Sequence, residues 1–144
     1  MKATAFVMGF IGGAAMLAQP ALAQDAAAGE KVFVKCKVCH QIGDGAKNAV
    51  GPVLTGIVGR PAGTFAGYNY SEANKNSGLT WDEATLTVYL KNPKAKVPGT
   101  KMTFPGLQAD EDIANVIAYL KTFSAPAAAA APAPAPSPAP SPAN

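Results

Sequence analysis

The chain has 144 residues, 49% of them hydrophobic, with 12 Lys and Arg against 9 Asp and Glu, a length that suits one domain. Its single histidine and two cysteines exclude a two-His zinc site and leave any His-dependent hydrolase one imidazole to work with. The net charge of +3 includes Lys2 in an apolar N-terminal stretch, so it gives no support for nucleic-acid binding.

The apolar residues are spread unevenly: residues 1–23 hold 16, residues 125–144 hold ten alanines and no other apolar type, and the 101 between hold 44. Such a domain lies near the lower size limit for folding alone and calls for a disulfide, metal or cofactor to complete it. Met1–Ala23 begins with Lys2, runs apolar from Ala3 to Leu17 and ends in Ala21-Leu22-Ala23, the form of a cleaved secretory signal peptide. Gly9, Gly12 and Gly13 interrupt the apolar run, which falls short of the ~20 residues a membrane span needs, so no stable membrane anchor is expected. The expectation is export to a periplasm, where cofactors can be attached. Residues 24–124 are left as the folded domain. Residues 125–144, ten Ala, seven Pro, two Ser and one Asn, are expected to be a disordered, solvated tail.

Three helices are predicted. Ala26 to about Val38 places Gly29, Val32, Phe33 and Cys36 on one stripe. Gly43 to Gly67 holds seven glycines and two prolines and reads as loop wrapped around something. Thr80-Trp81-Asp82-Glu83 reads as a capping box opening a helix through Leu86, Tyr89 and Leu90 to a stop at Asn92-Pro93. Ile113, Val116, Ile117 and Leu120 recur at i, i+3, i+4 and i+7, with acids in the first turn and Lys121 in the last, predicting a helix over about 109–123. No alternating strand pattern competes, so the class is all-α.

Cys36-Lys37-Val38-Cys39-His40 is C-x-x-C-H, the attachment sequence of a c-type haem. Two thiols near a helix end can reach the two vinyl groups of one porphyrin edge, and the next residue places an imidazole under the iron. A thioredoxin-like dithiol would want a strand–helix context, a zinc site would want a second ligand pair, and a disulfide here would close too small a loop to stabilise much. With Met1, Met8 and Met16 in the leader, Met102 is the one methionine left to serve as a second iron ligand. It stands in a Gly/Pro-bounded loop with polar neighbours, a poor setting for core filling. A His/Met pair raises the reduction potential, as in electron-transfer cytochromes.

From about Gly29 to Tyr119 the chain resembles class I cytochromes c, most closely the bacterial cytochrome c2 type similar to mitochondrial cytochrome c. The resemblance runs through Gly29-Glu30-Lys31-Val32-Phe33, the haem motif, Gly51-Pro52, Gly63 to Trp81 with Gly67 to Asn76 its most specific stretch, Tyr89-Leu90 and Pro98 to Phe104. It implies a small class I cytochrome c fold, helices and loops around one haem c held by Cys36 and Cys39, with His40 and Met102 on the iron. It further implies that the Pro52 carbonyl accepts from the His40 ring, that Arg60, Tyr70 and Trp81 hold a haem propionate, that Tyr89 approaches the ligand sulfur, and that Asn74 and Thr100 surround an internal water. Gly29 and Tyr119 would mark the crossing of the first and last helices.

The implied function is one-electron transport without enzymatic activity, in respiration or photosynthesis. The expected protein is a monomer that takes electrons from a cytochrome bc1-type complex and passes them to a photosynthetic reaction centre or terminal oxidase. Docking is expected near Lys35, Lys37, Lys47, Lys94 and Lys101, with the acids Glu72, Asp82, Glu83 and Asp110 to Asp112 lying elsewhere. Glu30, Ala49, Ala95, Gln108 and Ala109 stand where basic relatives carry lysines, so weaker docking than theirs is expected.

Overall fold

A computed structural model describes residues 24–124. The expected leader (1–23) and tail (125–144) lie outside the described residues.

Helix α1 (Ala26–Lys37) starts where Asp25 accepts from the amides of Ala27 and Ala28, and it carries Lys35 and Lys37 in its last turn, where the helix dipole favours cations. Helix α5 (Asp110–Thr122) has no side-chain cap at Ala109. Asp110, Glu111 and Asp112 in its first turn offset that lack by placing carboxylates beside the unpaired amides. The two helices cross at Gly29, where an added Cβ would fall inside the Asn115 carbonyl and 2.9 Å from Tyr119 Cβ. Close approach here lets Phe33 and Tyr119 pack with ring centroids 5.2 Å apart. Buried Asn115 is satisfied in part by the amide of Asp25 at 2.9 Å, so the entry to α1 is tied to the middle of α5.

Helix α3 (Glu83–Lys91) is capped two residues later than the expected box places its cap. Asp82 is the cap, its Oδ1 accepting from the Thr85 amide at 2.7 Å. Thr80 cannot fill that role because it lies extended in an isolated antiparallel bridge with Pro61, beside the reciprocal bonds of Trp81 with Gly59 and Arg60. Two short helices, α2 (Glu72–Lys75) and α4 (Pro93–Lys96), were not expected. Each is one turn opened by a side-chain cap, Ser71 for α2 and Asn92 for α4. Asn92-Pro93 therefore stops α3 and starts α4, with Pro93 at the first position, where a missing N–H costs nothing.

Between Val38 and Ser71 the described chain forms turns and bends with no helix, as the glycine content predicts. No strand occurs among the described residues beyond the one bridge, and no described helix is long and apolar enough to cross a membrane. The core joins Val32 and Phe33 of α1, Leu86, Tyr89 and Leu90 of α3, and Ile113, Val116, Ile117 and Leu120 of α5. One wall of this core opens onto the cavity described next.

Candidate haem site

The C-terminal end of α1 delivers both thiols. Cys36 lies in its last turn, and the amides of Cys39 and His40 both bond back to the Cys36 carbonyl at 3.0 and 2.9 Å, curling the chain so that the two sulfurs and the imidazole follow in one tight turn. Neither cysteine forms a disulfide, and both are partly buried. Burial pushes the Cys36 thiol up to about 11, against the pull of Lys35. A dithiol oxidoreductase needs its attacking thiol lowered; Cys36 moves the other way.

The His40 ring is held on two sides. Its Nδ1 donates to the Pro52 carbonyl at 2.7 Å, which leaves Nε2 as the nitrogen with the free lone pair. Burial lowers the His40 pKa, with the Pro52 bond opposing, so the ring favours the neutral form that a metal ligand requires. Gly51 is the second support: a Cβ there would collide with Cε1, Nδ1 and Nε2 of the ring. The Gly51 amide bonds the Cys39 carbonyl at 2.8 Å, locking this support to the cysteine turn.

Met102 enters from the loop before α5. Its sulfur accepts from the Tyr89 hydroxyl at 3.2 Å and its amide donates to Thr100 Oγ1 at 3.2 Å. The Tyr89 ring is buried and packs on Trp81 with centroids 4.6 Å apart. Cys36, Cys39, His40 and Met102 thus line one cavity of about 380 Å³, whose inner wall is Phe33, Leu54, Ile57, Leu86, Leu90 and Val116. A cavity of this size with an apolar wall and few convergent polar groups is the usual form of a cofactor site.

Asn74 lines the same cavity, and its Oδ1 is buried with no hydrogen-bond partner. An orphaned buried acceptor implies a group or water that completes it. Paired thiols at a helix end, a neutral imidazole held by its far nitrogen, a thioether and an apolar wall together fit a covalently attached haem.

The residues expected around a propionate are divided by the structure. Tyr70 and Trp81 are buried and line the cavity. Arg60 donates to the carbonyls of Thr55 at 3.2 Å and Val53 at 2.8 Å and lies over the Phe65 ring at 4.8 Å, behind the loop that forms the wall. Its charge still reaches Tyr70, where it partly offsets the rise that burial imposes on the phenol.

The lysines are divided as well. Lys35 pairs with Asp112 at 3.5 Å, so that acid does not lie apart from the expected docking set. Lys101 donates to the Asn69 carbonyl at 3.0 Å, while Lys37, Lys47 and Lys94 have no carboxylate partner among the described residues.

Sequence reasoning missed three contributors. Val38 and Val50 stand 79% and 74% exposed beside the cavity, an apolar rim with no periodicity to announce it. Tyr68, whose hydroxyl donates to the Val50 carbonyl at 2.7 Å, was legible only as one more aromatic residue in a loop.

Comparison with known proteins agrees with this geometry. The cytochrome c family model matches residues 26–124. Cytochrome c2 of Blastochloris viridis is 58% identical over 106 residues, covering 74% of this chain and 84% of that protein. Cytochrome c-554 of Methylosinus trichosporium is 62% identical over 107 residues, covering 74% and 81%. Among solved structures, cytochrome cH from Methylobacterium extorquens superposes with a TM-score of 0.65 at 56% identity, covering 68% of this chain and 98% of that one. Cytochrome c2 from Rhodospirillum centenum gives 0.68 at 41% identity, covering 70% and 99%. The chain therefore belongs to the cytochrome c family, has the class I cytochrome c fold, and is an electron carrier with covalent haem c attached at the Cys36–Cys39 motif, not an enzyme.

Proposed function

We propose that this chain is a soluble, monomeric periplasmic one-electron carrier whose haem iron would be held by His40 and Met102, linking a cytochrome bc1-type donor to a photosynthetic reaction centre or terminal oxidase. The observation that carries the reading is the pair of supported donors facing one cavity, His40 held by Pro52 and Met102 held by Tyr89. The bound haem supplies a one-electron iron couple. His40 and Met102, each held in place by a neighbour, would both hold the iron and would leave it no site for a substrate.

The remaining residues divide the work. Cys36 and Cys39 anchor the group at the end of α1. The apolar wall excludes water, which limits the solvent rearrangement that accompanies a change of charge. Asn74 and Thr100 offer polar atoms beside Met102, and Tyr70 and Trp81 offer donors to the propionate side. Arg60 acts there through its field and through the carbonyls it gathers.

Docking is proposed at the cavity mouth, where Val38 and Val50 form an apolar rim and Lys35 and Lys101 line the same cavity, with Lys37 next to Val38 in the chain and Lys47 three residues before Val50. Lys94 and Lys101 extend the basic surface, and Lys35 contributes less because Asp112 partly neutralises it. Export rests on the A-x-A site at Ala21 to Ala23. The purified haem-loaded protein, offered as reductant to isolated reaction-centre and oxidase complexes, is expected to react with one of them at a rate that falls as salt rises. A rate that is flat in salt removes the lysine docking, and no reaction with either complex removes the proposed route.

A further inference from the structure

Ala66 to Tyr70 forms no helix, yet it is tied at three points to two separate loops that both line the cavity. Asn48 Nδ2 donates to the Ala66 carbonyl at 3.1 Å while its Oδ1 accepts from the Val53 amide at 3.1 Å. The Tyr68 hydroxyl donates to the Val50 carbonyl at 2.7 Å. Lys101 Nζ donates to the Asn69 carbonyl at 3.0 Å. Val50 directly precedes Gly51 and Pro52, the two supports of the His40 ring, and Lys101 directly precedes Met102.

These ties do not arise from local chain geometry. The partners are 18 residues apart for the Asn48 and Tyr68 bonds and 32 apart for the Lys101 bond. Tyr68 is aimed by its neighbour: it meets Tyr70 edge-on, centroids 4.8 Å apart and rings at 76°, and Tyr70 is buried. Gly67, at φ +73°, turns the chain so that Ala66 can offer its carbonyl to Asn48 while the next residue reaches Val50.

We propose that Tyr68 is a positioning residue for both sides of the site: residues 66–70 form a strap that couples the His40 support to the Met102 loop, so releasing one end loosens the other. This rests on Met102 being an iron ligand, the reading given above. Without the Tyr68 hydroxyl the Val50 end is free, and the strap carries less restraint to Asn69 and through Lys101 to Met102.

The test uses the haem-loaded full chain with Tyr68→Phe, Lys101→Leu, the double variant and Lys101→Arg. Two quantities are followed: the rate at which carbon monoxide binds the ferrous protein, which requires Met102 to leave, and amide hydrogen exchange at Met102 and Gly51. Tyr68→Phe is expected to raise the carbon monoxide rate roughly three- to ten-fold, as for loss of one hydrogen bond, and to speed exchange at Met102 although the lost hydroxyl bonded the other loop. Lys101→Leu is expected to speed exchange at Gly51. The effect of the double variant should fall short of the product of the two single effects, and Lys101→Arg, which keeps a donor, should retain slow binding.

Exchange in Tyr68→Phe that rises at Gly51 and not at Met102, or single effects that multiply in full, would show independent ties and overturn the strap. If the unaltered protein already binds carbon monoxide immediately, it is the ligand assignment of Met102 that fails. Cross-strap exchange then still decides the coupling.

Discussion

The crossing of α1 and α5 and the wall from Gly43 to Tyr70 face the same cavity but are built on opposite principles. At the crossing, Gly29, Phe33, Asn115 and Tyr119 interlock through side-chain volume, and an added methyl has nowhere to go. In the wall, Ile57 and Ala62 reach the core, and much of the chain between is held by bonds to its own carbonyls, from Arg60, Asn48 and Tyr68. The crossing is a scaffold that sets where α1 ends and so where the thiols stand. The wall lines the space beside those thiols, and its geometry is tied to His40 through Gly51 and Pro52 as well as to the core through Ile57 and Ala62.

Breaking the crossing should have the largest effect. Gly29→Val places its Cβ in the Asn115 carbonyl, so destabilisation above the ~1–3 kcal/mol typical of overpacking is expected, with a large drop in Tm. A melting temperature within a degree or two of the parent would show that the helices separate freely.

Trp81→Ala acts where the two regions meet, since Trp81 packs on Tyr89 and also pairs through its backbone with Gly59 and Arg60. Loss of a buried aromatic of this size costs about 3–5 kcal/mol, readable as a lower urea midpoint. A cost near zero would place Trp81 outside the core.

Gly51→Ala separates the regions most sharply. The methyl collides with the His40 ring, so the spectrum of the bound haem should change while the amides of Val116 and Ile117 keep their exchange protection. Loss of protection in α5 together with the spectral change would show that wall and scaffold unfold as one.

Tyr89→Phe removes the hydroxyl that bonds the Met102 sulfur. The expected loss is about 1 kcal/mol, seen as disappearance of the Met-linked absorption band at lower urea while global unfolding shifts little. An unchanged band midpoint would contradict the bond's role.

The smallest expected effect is acid sensitivity. Glu72 is held below its ordinary value chiefly by the bond from Lys75, Asp82 by the Thr85 amide, and Glu83 by Gln24 and Lys121. Their folded values are depressed, so the stability they add is present above the ordinary carboxylate range near pH ~4 and is lost as pH falls through the lowered values. Asp82→Asn keeps an acceptor for the cap but cannot titrate, so the fall in urea midpoint between neutral and acid pH should be shallower. An equal fall would assign the acid sensitivity to other groups.

The same contrast explains what was legible in the residues alone. Helices α1, α3 and α5 bury apolar side chains at helical spacing, and that spacing is visible without coordinates. Single turns such as α2 and α4 bury too little to leave a period, and they depend on Ser71 and Asn92 caps that look like ordinary loop residues. Thr80 misled because a capping box and an extended Thr before an Asp cap share the same letters, and only the bridge to Pro61 separates them.

Cys36, Cys39 and His40 were legible because a fixed spacing carries the chemistry, and Met102 because the domain has no other methionine. The orientation of Arg60 toward Val53 and Thr55, the Lys35–Asp112 pair and the reach of Tyr68 to Val50 were not. Each depends on how a glycine-rich loop closes, which no side-chain pattern encodes.

The central proposal is that His40 and Met102 would both hold the iron of the covalently bound haem. It is tested most directly by the absorption spectrum of the purified ferrous protein before and after carbon monoxide is added. A low-spin c-type spectrum that carbon monoxide leaves unchanged on mixing is the predicted result. Immediate conversion to a carbon monoxide spectrum would contradict it and would point to an open haem site.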